Sequence, residues 1–370
     1  MKILPFSAWY PKLEKILSPD TFFGTVKERY TEYHEEGYFK KMPTQAFYIY
    51  QIATATTNYT GLLATLPTEE YIKGNIIKHE QTIAQKEEKT VKLVLEKGAN
   101  VKPILLTYPA VSSIDTLLQH WIAKHPPLFS TYLEAERTHH KIWSIEDNSL
   151  IIELQELFEA SVPSTYIADG HHRTATMGIL QAQNGELTRK GDYSRLLVAL
   201  FASNQLRISE FNRIIRVSTP ISPAEFHKAI QKYCNIELLT NPQKPSHKHS
   251  FITIIGQDWW LCKWKEDILE EYRTTKIPLD VQILNEKILK NILQIKEVRT
   301  DERIKYISGD KGMTGLQSAL HKNPNSIGFY LYPIPIKDFI SLTNQHTLLP
   351  PKSTFFEPRM KNGLVVRRLV

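Results

Sequence analysis

The chain reads as a mixed α/β protein, and three observations carry that expectation. Short β-like runs alternate with stretches of helical apolar spacing along most of the length, the pattern of interleaved strands and helices. The run Ser164-Thr165-Tyr166-Ile167-Ala168 ends on Asp169-Gly170-His171-His172-Arg173 and passes at once into a helical pattern, with Ala175, Ile179, Leu180 and Ala182 on or beside one face. The composition, 42% hydrophobic and 23% charged over 370 residues, is that of a globular protein able to bury a sizeable core.

In chain order, Thr25 to Phe39 has helical spacing, and Ala46 to Ala53 and Asn58 to Leu66 read as paired strands around a threonine-rich turn. A helix begins near Glu87, places Val91, Val94 and Leu95 on one face, and stops at Gly98. The strand Lys102-Pro103-Ile104-Leu105-Leu106 follows. Residues 110 to 160 form an insertion: a helix from Ile114 to Ile122, a hairpin of Leu128–Glu134 with Lys141–Ile145, and a helix to Phe158. The pair His139-His140 falls at the expected hairpin turn. Lacking a third ligand nearby in sequence, it reads as an exposed turn rather than a metal site.

Beyond the glycine turn come strands at Ser194–Ala202 and Arg213–Val217, a helix at Pro223–Tyr233, and a hairpin of Ser250–Ile255 with Trp259–Trp264. Another helix opens at Asp280, with Val281, Leu284, Ile288 and Ile292 at helical spacing. From Ser326 the chain is strand and proline-rich coil, and Pro242–Lys248 is the best linker candidate.

Charge and composition narrow the partners. The net charge of +7 is spread out, and no Lys/Arg stripe is interleaved with aromatics, so nucleic acid is not an expected partner and anionic small molecules are. Only Cys234 and Cys262 are present, without metal-ligand spacing, which suits a reducing cytoplasm. The start Met1-Lys2-Ile3-Leu4-Pro5 lacks the continuous apolar stretch of a signal peptide. The longest apolar run, Leu196 to Ala202, is too short to span a bilayer. A soluble cytoplasmic protein is expected.

The turn at 169–173 is the chemical focus. A strand feeding a helix through glycine gathers backbone N–H groups and the helix dipole at one point, which suits phosphate. A carboxylate, two imidazoles and a guanidinium join it there. The plain alternative is a glycine turn whose polar residues cap a helix and meet solvent. A second polar segment, Lys78-His79-Glu80-Gln81-Thr82, precedes the helix near Glu87 and by itself reads as a solvated stretch.

Taken in order, His-Glu, helix, Pro-Ile strand and Asp-Gly-His-His-Arg resemble the ParB/sulfiredoxin superfamily, and within it the free L-serine kinases. The resemblance covers about residues 75–108 and 164–183. Over its whole length the chain resembles a widespread family of large bacterial and archaeal proteins. That family shares Lys-His-Glu-x-Thr, Asp-Gly-His-His-Arg and a tail like Leu349-Pro350-Pro351-Lys352-Ser353-Thr354-Phe355-Phe356.

The resemblance implies a ParB/sulfiredoxin-like core at 67–240 containing the insertion, an N-terminal α/β region at 1–66, and a C-terminal α/β region at 250–370. Two departures prune the chemistry. Sulfiredoxins carry cysteine where this chain has His171, so sulfinic acid reduction is not expected. ParB-type proteins carry Gly-Glu-Arg-Arg in the turn, and this chain also lacks an evident basic helix-turn-helix, so DNA segregation is not expected either.

What the resemblance implies for the turn is a nucleotide phosphate, which the three resembled groups share. Phosphoryl transfer asks mostly for positioning and charge neutralisation. The N–H groups of Gly170 to Arg173 are cradle candidates, with His171 among them and Arg173 as a bidentate clamp. His172 is placed to donate to a phosphate oxygen, and Asp169 either to orient Mg²⁺ or to accept a proton. By the resemblance, Glu80 is the general-base candidate, with His79 and Thr82 beside the acceptor. Lys352, Ser353 and Thr354 either form a rigid turn or fold back to meet phosphate. No Walker pattern accompanies them.

The resemblance therefore implies a kinase using ATP or ADP with Mg²⁺ to convert free L-serine, or a similar hydroxyl metabolite, to its phosphomonoester. The alternatives are a nucleotide-binding regulatory module without turnover and a nucleotide hydrolase.

Overall fold

The computed structural model describes every residue except 83, 186, 188–190, 218–221 and 274–276. It is mixed α/β, as expected, and its contacts divide the chain into two units. One is residues 1–207 with 358–370, the other residues 208–357.

The first unit is built on an eight-stranded sheet. Its strands are β1 (Phe47–Ala53), β2 (Asn58–Pro67), β3 (Ile76–Ile77), β4 (Ile104–Tyr108), β5 (Phe129–Leu133), β6 (Thr138–Ile145), β7 (Thr165–Asp169) and β8 (Arg195–Ala202). Their order across the sheet is β3-β7-β4-β8-β2-β1-β6-β5. The strands β1 and β2 pair around Thr54–Thr57, where Thr54 Oγ1 accepts from the Thr56 and Thr57 amides. The continuous apolar run Leu196–Ala202 is buried, as the middle of a sheet covered on both faces requires. Pairing of β7 with β4 brings the strand before Asp169 against the Pro-Ile strand, in antiparallel register.

The helices of this unit are α1 (Pro19–Glu35), α2 (Ala84–Lys97), α3 (Ser112–Lys124), α4 (Asn148–Ser161) and α5 (His171–Gln183). Gly98 closes α2 at φ +58°, its amide bonded to the Val94 carbonyl, as the sequence expects. For α1 the expected span, Thr25–Phe39, is displaced. Ser18 caps the helix through the Thr21 amide and Pro19 takes its first turn, while Phe39 has left it to pair with Pro11. Apolar spacing alone passes over that Ser-Pro start.

The histidine pair also departs from expectation. The turn lies at Glu134–Arg137, and His139 and His140 stand on β6 instead. His140 is fully buried, bonded at Nδ1 to Tyr50 Oη (2.8 Å) and at Nε2 to Thr138 Oγ1 (2.9 Å). Burial pushes its pKa down to about 3, so it is a neutral core residue.

The second unit carries a six-stranded antiparallel sheet. Its strands are β9 (Phe211–Arg216), β10 (Cys234–Leu239), β11 (Ser250–Ile255), β12 (Asp258–Trp264), β13 (Ile304–Ser308) and β14 (Ser326–Leu331), in the order β10-β12-β11-β14-β9-β13. Pro242–Lys248, read from sequence as a linker, connects β10 to β11 within this one sheet. The helix opening at Asp280 is regular only to Ile283 and widens into π-helical turns over Leu284–Lys290. No helix among the described residues is long and apolar enough to cross a membrane.

The last residues return to the first unit. Val366 bridges to Trp9, and Arg367–Arg368 pair with Ala99–Asn100. Arg367 also forms an ion pair with Asp192.

Candidate active site

A β-bulge sets the geometry. The register between β7 and β4 slips between Ile167 and Asp169, which turns the end of β7 out of the regular pleat. Gly170 then adopts φ +112°, ψ 25° and caps α5. A side chain here would be strained by the backbone and would displace the Arg173 guanidinium. The φ is one that L residues rarely adopt, and a Cβ would lie 2.7 Å from Arg173 Nη2. The glycine therefore gives the guanidinium its seat as well as making the turn. The Gly170 carbonyl accepts from the Thr174 amide (2.9 Å) and Thr174 Oγ1 (3.1 Å), starting a helix of 13 residues.

Three cations converge on Asp169. Arg173 Nη2 donates to Oδ2 at 2.9 Å, Lys102 Nζ to Oδ2 at 3.4 Å, and Arg359 Nη1 lies 3.6 Å from Oδ1. Burial alone would raise this carboxyl, but Arg173, Lys102 and Arg359 hold it well below the usual carboxylate range, so it is ionised. Burial pushes the Lys102 ammonium down to about 8, against the pull of Asp169. One carboxylate among three cations leaves a local surplus of two positive charges.

On the other side of the turn stand the imidazoles. His171 is buried, and burial pushes its pKa down to about 4. His79 is buried edge-on against it, ring centroids 4.5 Å apart at 86°, and has a hydrogen bond with the Ile167 backbone. Burial and then His171 hold His79 well below its ordinary value, so both rings are neutral at pH 7. Glu80 Oε2 lies 4.0 Å from His171 Nδ1, a water-bridged rather than a direct hydrogen-bonding distance. Glu80 is about half exposed, and Thr82 is half-buried two residues further on. Burial and Lys86 lower His172, while Glu80 and Glu87 oppose them.

Several side-chain nitrogens here have no hydrogen-bond partner among the described residues. His171 Nε2, His172 Nδ1 and Arg173 Nε are buried and unpartnered. Lys102 and Arg173 also line a cavity of about 550 Å³ against α2. That cavity has Lys27, Lys89 and Lys97 on its walls, no carboxylate among its lining residues, and an apolar side of Val94, Val101 and Met177. Lys97 Nζ and Asn100 Oδ1, both at this cavity, are likewise buried and unpartnered. A pocket of this size, part basic and part apolar, suits an anionic organic ligand.

Of the residues singled out from sequence, the structure gathers Glu80, His79, Asp169, Gly170, His171, His172 and Arg173. Lys352, Ser353 and Thr354 belong to the second unit. There Lys352 has φ +55° and its carbonyl accepts from Arg213 Nη2 (3.1 Å), while Ser353 Oγ donates to the Pro350 carbonyl (2.5 Å). Lys102 and Arg359 were missed. A lysine directly before the Pro-Ile strand was the available signal for the first. The second comes from 190 positions beyond Asp169 in sequence, and local pattern gives no sign of it.

The fold and site define an α/β protein with a basic turn at a helix N-terminus. The chain belongs to the family described as "Protein of unknown function (DUF1015)", whose model matches residues 11–285. No curated protein matches it. Among solved structures it is similar to SbnI with a C-terminal truncation from Staphylococcus aureus, at 13% identity over 81% of this chain and 85% of that one, with a TM-score of 0.43. It is similar to a conserved hypothetical protein from Pyrococcus furiosus at 13% identity, covering 82% of this chain and 95% of that one, with a TM-score of 0.38. A variant free serine kinase in complex with ADP matches at 12% identity, over 85% and 95% of the two chains, with a TM-score of 0.38.

Proposed function

We propose that this site transfers a phosphoryl group from a nucleoside phosphate, ATP or ADP, to the hydroxyl of free L-serine or a similar metabolite. One observation carries the reading. The N-terminus of a full helix, an arginine, a lysine and buried unpartnered imidazole nitrogens converge on one turn, with a carboxylate 4.0 Å from the same imidazole. The cations and amides suit the phosphates, and the cavity beside Lys102 and Arg173 has room for the organic body of the nucleotide.

In this reading the acceptor oxygen attacks the terminal phosphorus, and the bond from phosphorus to the leaving nucleotide oxygen breaks. Glu80 takes the hydroxyl proton, directly or through one water. Neutral His171 and His172 donate to phosphate oxygens, which their depressed pKa values permit without adding charge. His79, buried against His171, keeps that ring in place. Arg173 and the helix amides offset the charge that builds on the equatorial oxygens.

The expected Mg²⁺ finds no fit at Asp169. That carboxylate is already shared by three cations, and no group of three His, Cys, Asp or Glu among the described residues is placed to hold a metal. No step is routed through a metal here.

The test is a phosphorus NMR screen of the purified protein with ATP or ADP, with and without Mg²⁺, against a panel of hydroxyl amino acids. A new phosphomonoester signal is expected. A donor that disappears only to inorganic phosphate makes the protein a hydrolase. A donor that binds and stays intact with every acceptor makes it a nucleotide-binding regulatory module.

A further inference from the structure

Lys102 is one of two cations at this site that the sequence motifs do not include, and its surroundings are unusual. Its side chain is 21% exposed, its Nζ lies 3.4 Å from Asp169 Oδ2, and it lines the same cavity as Arg173. Asp169 has one negative charge to divide among Lys102, Arg173 and Arg359, so Lys102 is under-compensated where it stands. A phosphate group entering beside Arg173 would supply the missing charge.

We infer that Lys102 is a phosphate-binding residue of this site, held in place by Asp169, and that it sets the alkaline limit of anion binding. The inference rests on the nucleotide reading of the turn. It adds a residue and a pH dependence that the reading does not contain.

The charged groups facing Lys102 come from every element around it. Asp169 and Arg173 lie on the β7 turn and α5, and Arg359 on the returning C-terminal segment. Lys27 from α1, and Lys89 and Lys97 from α2, line the cavity. The arginines keep their charge throughout the accessible pH range. Burial brings the Lys102 ammonium down to about 8, so without a ligand it loses its proton just above neutrality. Lys97 is lowered too, by burial and Lys27 against the pull of Glu28 and Glu96, and is the competing candidate.

An anion binds the protonated lysine and raises its pKa, so binding near pH 8 takes up a proton and weakens as pH rises. Calorimetric titration of ADP from pH 7.5 to 9.5, in two buffers of different ionisation enthalpy, reads both effects. For wild type we expect fractional proton uptake near pH 8 and an affinity loss that approaches about tenfold in total by pH 9.5. Lys102→Arg should abolish the uptake and flatten the profile. Lys102→Met should bind about tenfold more weakly at pH 7.5 and show no alkaline loss, and a thermal melt checks that it is folded.

Wild-type affinity in Lys102→Met overturns the inference, as does an alkaline loss that survives in Lys102→Arg. So does a loss that disappears in Lys97→Arg instead. The same series run with inorganic pyrophosphate separates the two readings. If pyrophosphate shows the Lys102 pattern while ADP does not bind, the nucleotide reading fails and the role of Lys102 stands.

Discussion

Each unit holds an arginine drawn in from solvent, Arg213 fully buried and Arg173 half-buried, and the two are partnered differently. Arg213, in the second unit, is 1% exposed. It donates through Nη1 to the Phe211 carbonyl at 2.6 Å and through Nη2 to the Lys352 carbonyl at 3.1 Å, with its guanidinium over the Tyr306 ring. Burial lowers its pKa to about 10, which leaves it charged at pH 7. Arg173, in the first unit, shares one carboxylate with two other cations and lines a cavity, while the Nε of both arginines is buried without a hydrogen-bond partner. A charge that ends on main-chain carbonyls ties a fold together. A surplus of charge gathered beside open volume is arranged for something that arrives. The difference supports, without reference to any motif, the proposal that Arg173 binds a ligand while Arg213 is structural.

The largest effect should come from the acceptor side of the first unit's site. Glu80→Gln keeps size and polarity but removes the basic oxygen. We expect phosphomonoester formation to fall by a factor of about 10²–10⁴ while nucleotide affinity stays near wild type. If Glu80→Gln turns over as fast as wild type, the base lies elsewhere and Glu80 loses its role.

Next in size is the structural arginine. Arg213→Ala removes a donor from the part-buried Phe211 and Lys352 carbonyls and leaves a hole beside Tyr306, so we expect a loss on the order of 3 kcal/mol in a denaturant melt. A loss below about 1 kcal/mol would mean that water takes over its contacts and that the contrast drawn above is false.

Acidification tests the buried histidine rings, most of which lie in the first unit; in the second unit His227 is buried and lowered in pKa by burial as well. The first unit buries His79, His140 and His171 as neutral rings, with His140 held at about 3 and His171 at about 4 instead of the ordinary 6.5. Above pH 6.5 neither folded nor unfolded chain protonates them appreciably, and they leave stability unchanged. Below it the unfolded chain binds the protons first, so stability falls as pH drops from 6.5 towards 4, by about 1.4 kcal/mol per unit for each group. Arg213 stays charged throughout this window and adds no such slope. Hydrogen exchange at pH 7 and pH 5 should show protection lost in β6 and the head of α5. Equal protection at both values would contradict the burial of these rings.

The smallest effect concerns Lys352. Its φ of +55° favours glycine, and the carbonyl that receives Arg213 belongs to the main chain. Lys352→Gly should therefore leave the melting midpoint of the protein unchanged or slightly raised. A marked drop would assign the stabilisation to the lysine side chain, whose ammonium lies 5.0 Å from the centre of the Phe211 ring.

The sequence made the two regions unequally legible. Around Asp169 the signals are local: a β-rich run, a glycine and a helical apolar face fall within twenty residues, and Gly98 closes α2 for an equally local reason. The pairing of β7 with β4 could be anticipated because both strands carry marked motifs. What pattern could not supply was anything made by distant parts of the chain. Arg359 reaches Asp169 only because the last residues return to the first unit. The His139-His140 pair looked like an exposed turn until β6 placed His140 under Tyr50. The proline-rich Pro242–Lys248 segment has a linker's composition, yet it connects two strands of one sheet. Composition reports local conformation in such a segment and says nothing of what its ends are bonded to.

The central claim is that the turn at Asp169–Arg173 receives phosphate, and calorimetric titration of ADP into wild type and Arg173→Ala tests it most directly. Lys102 and Arg359 remain on Asp169 in the variant, so the protein is expected to stay folded, and a thermal melt confirms this. Loss of a charge-assisted contact to phosphate should weaken binding by about tenfold to a hundredfold, with Arg173→Lys recovering only part of it. Unchanged ADP affinity in folded Arg173→Ala would contradict the account.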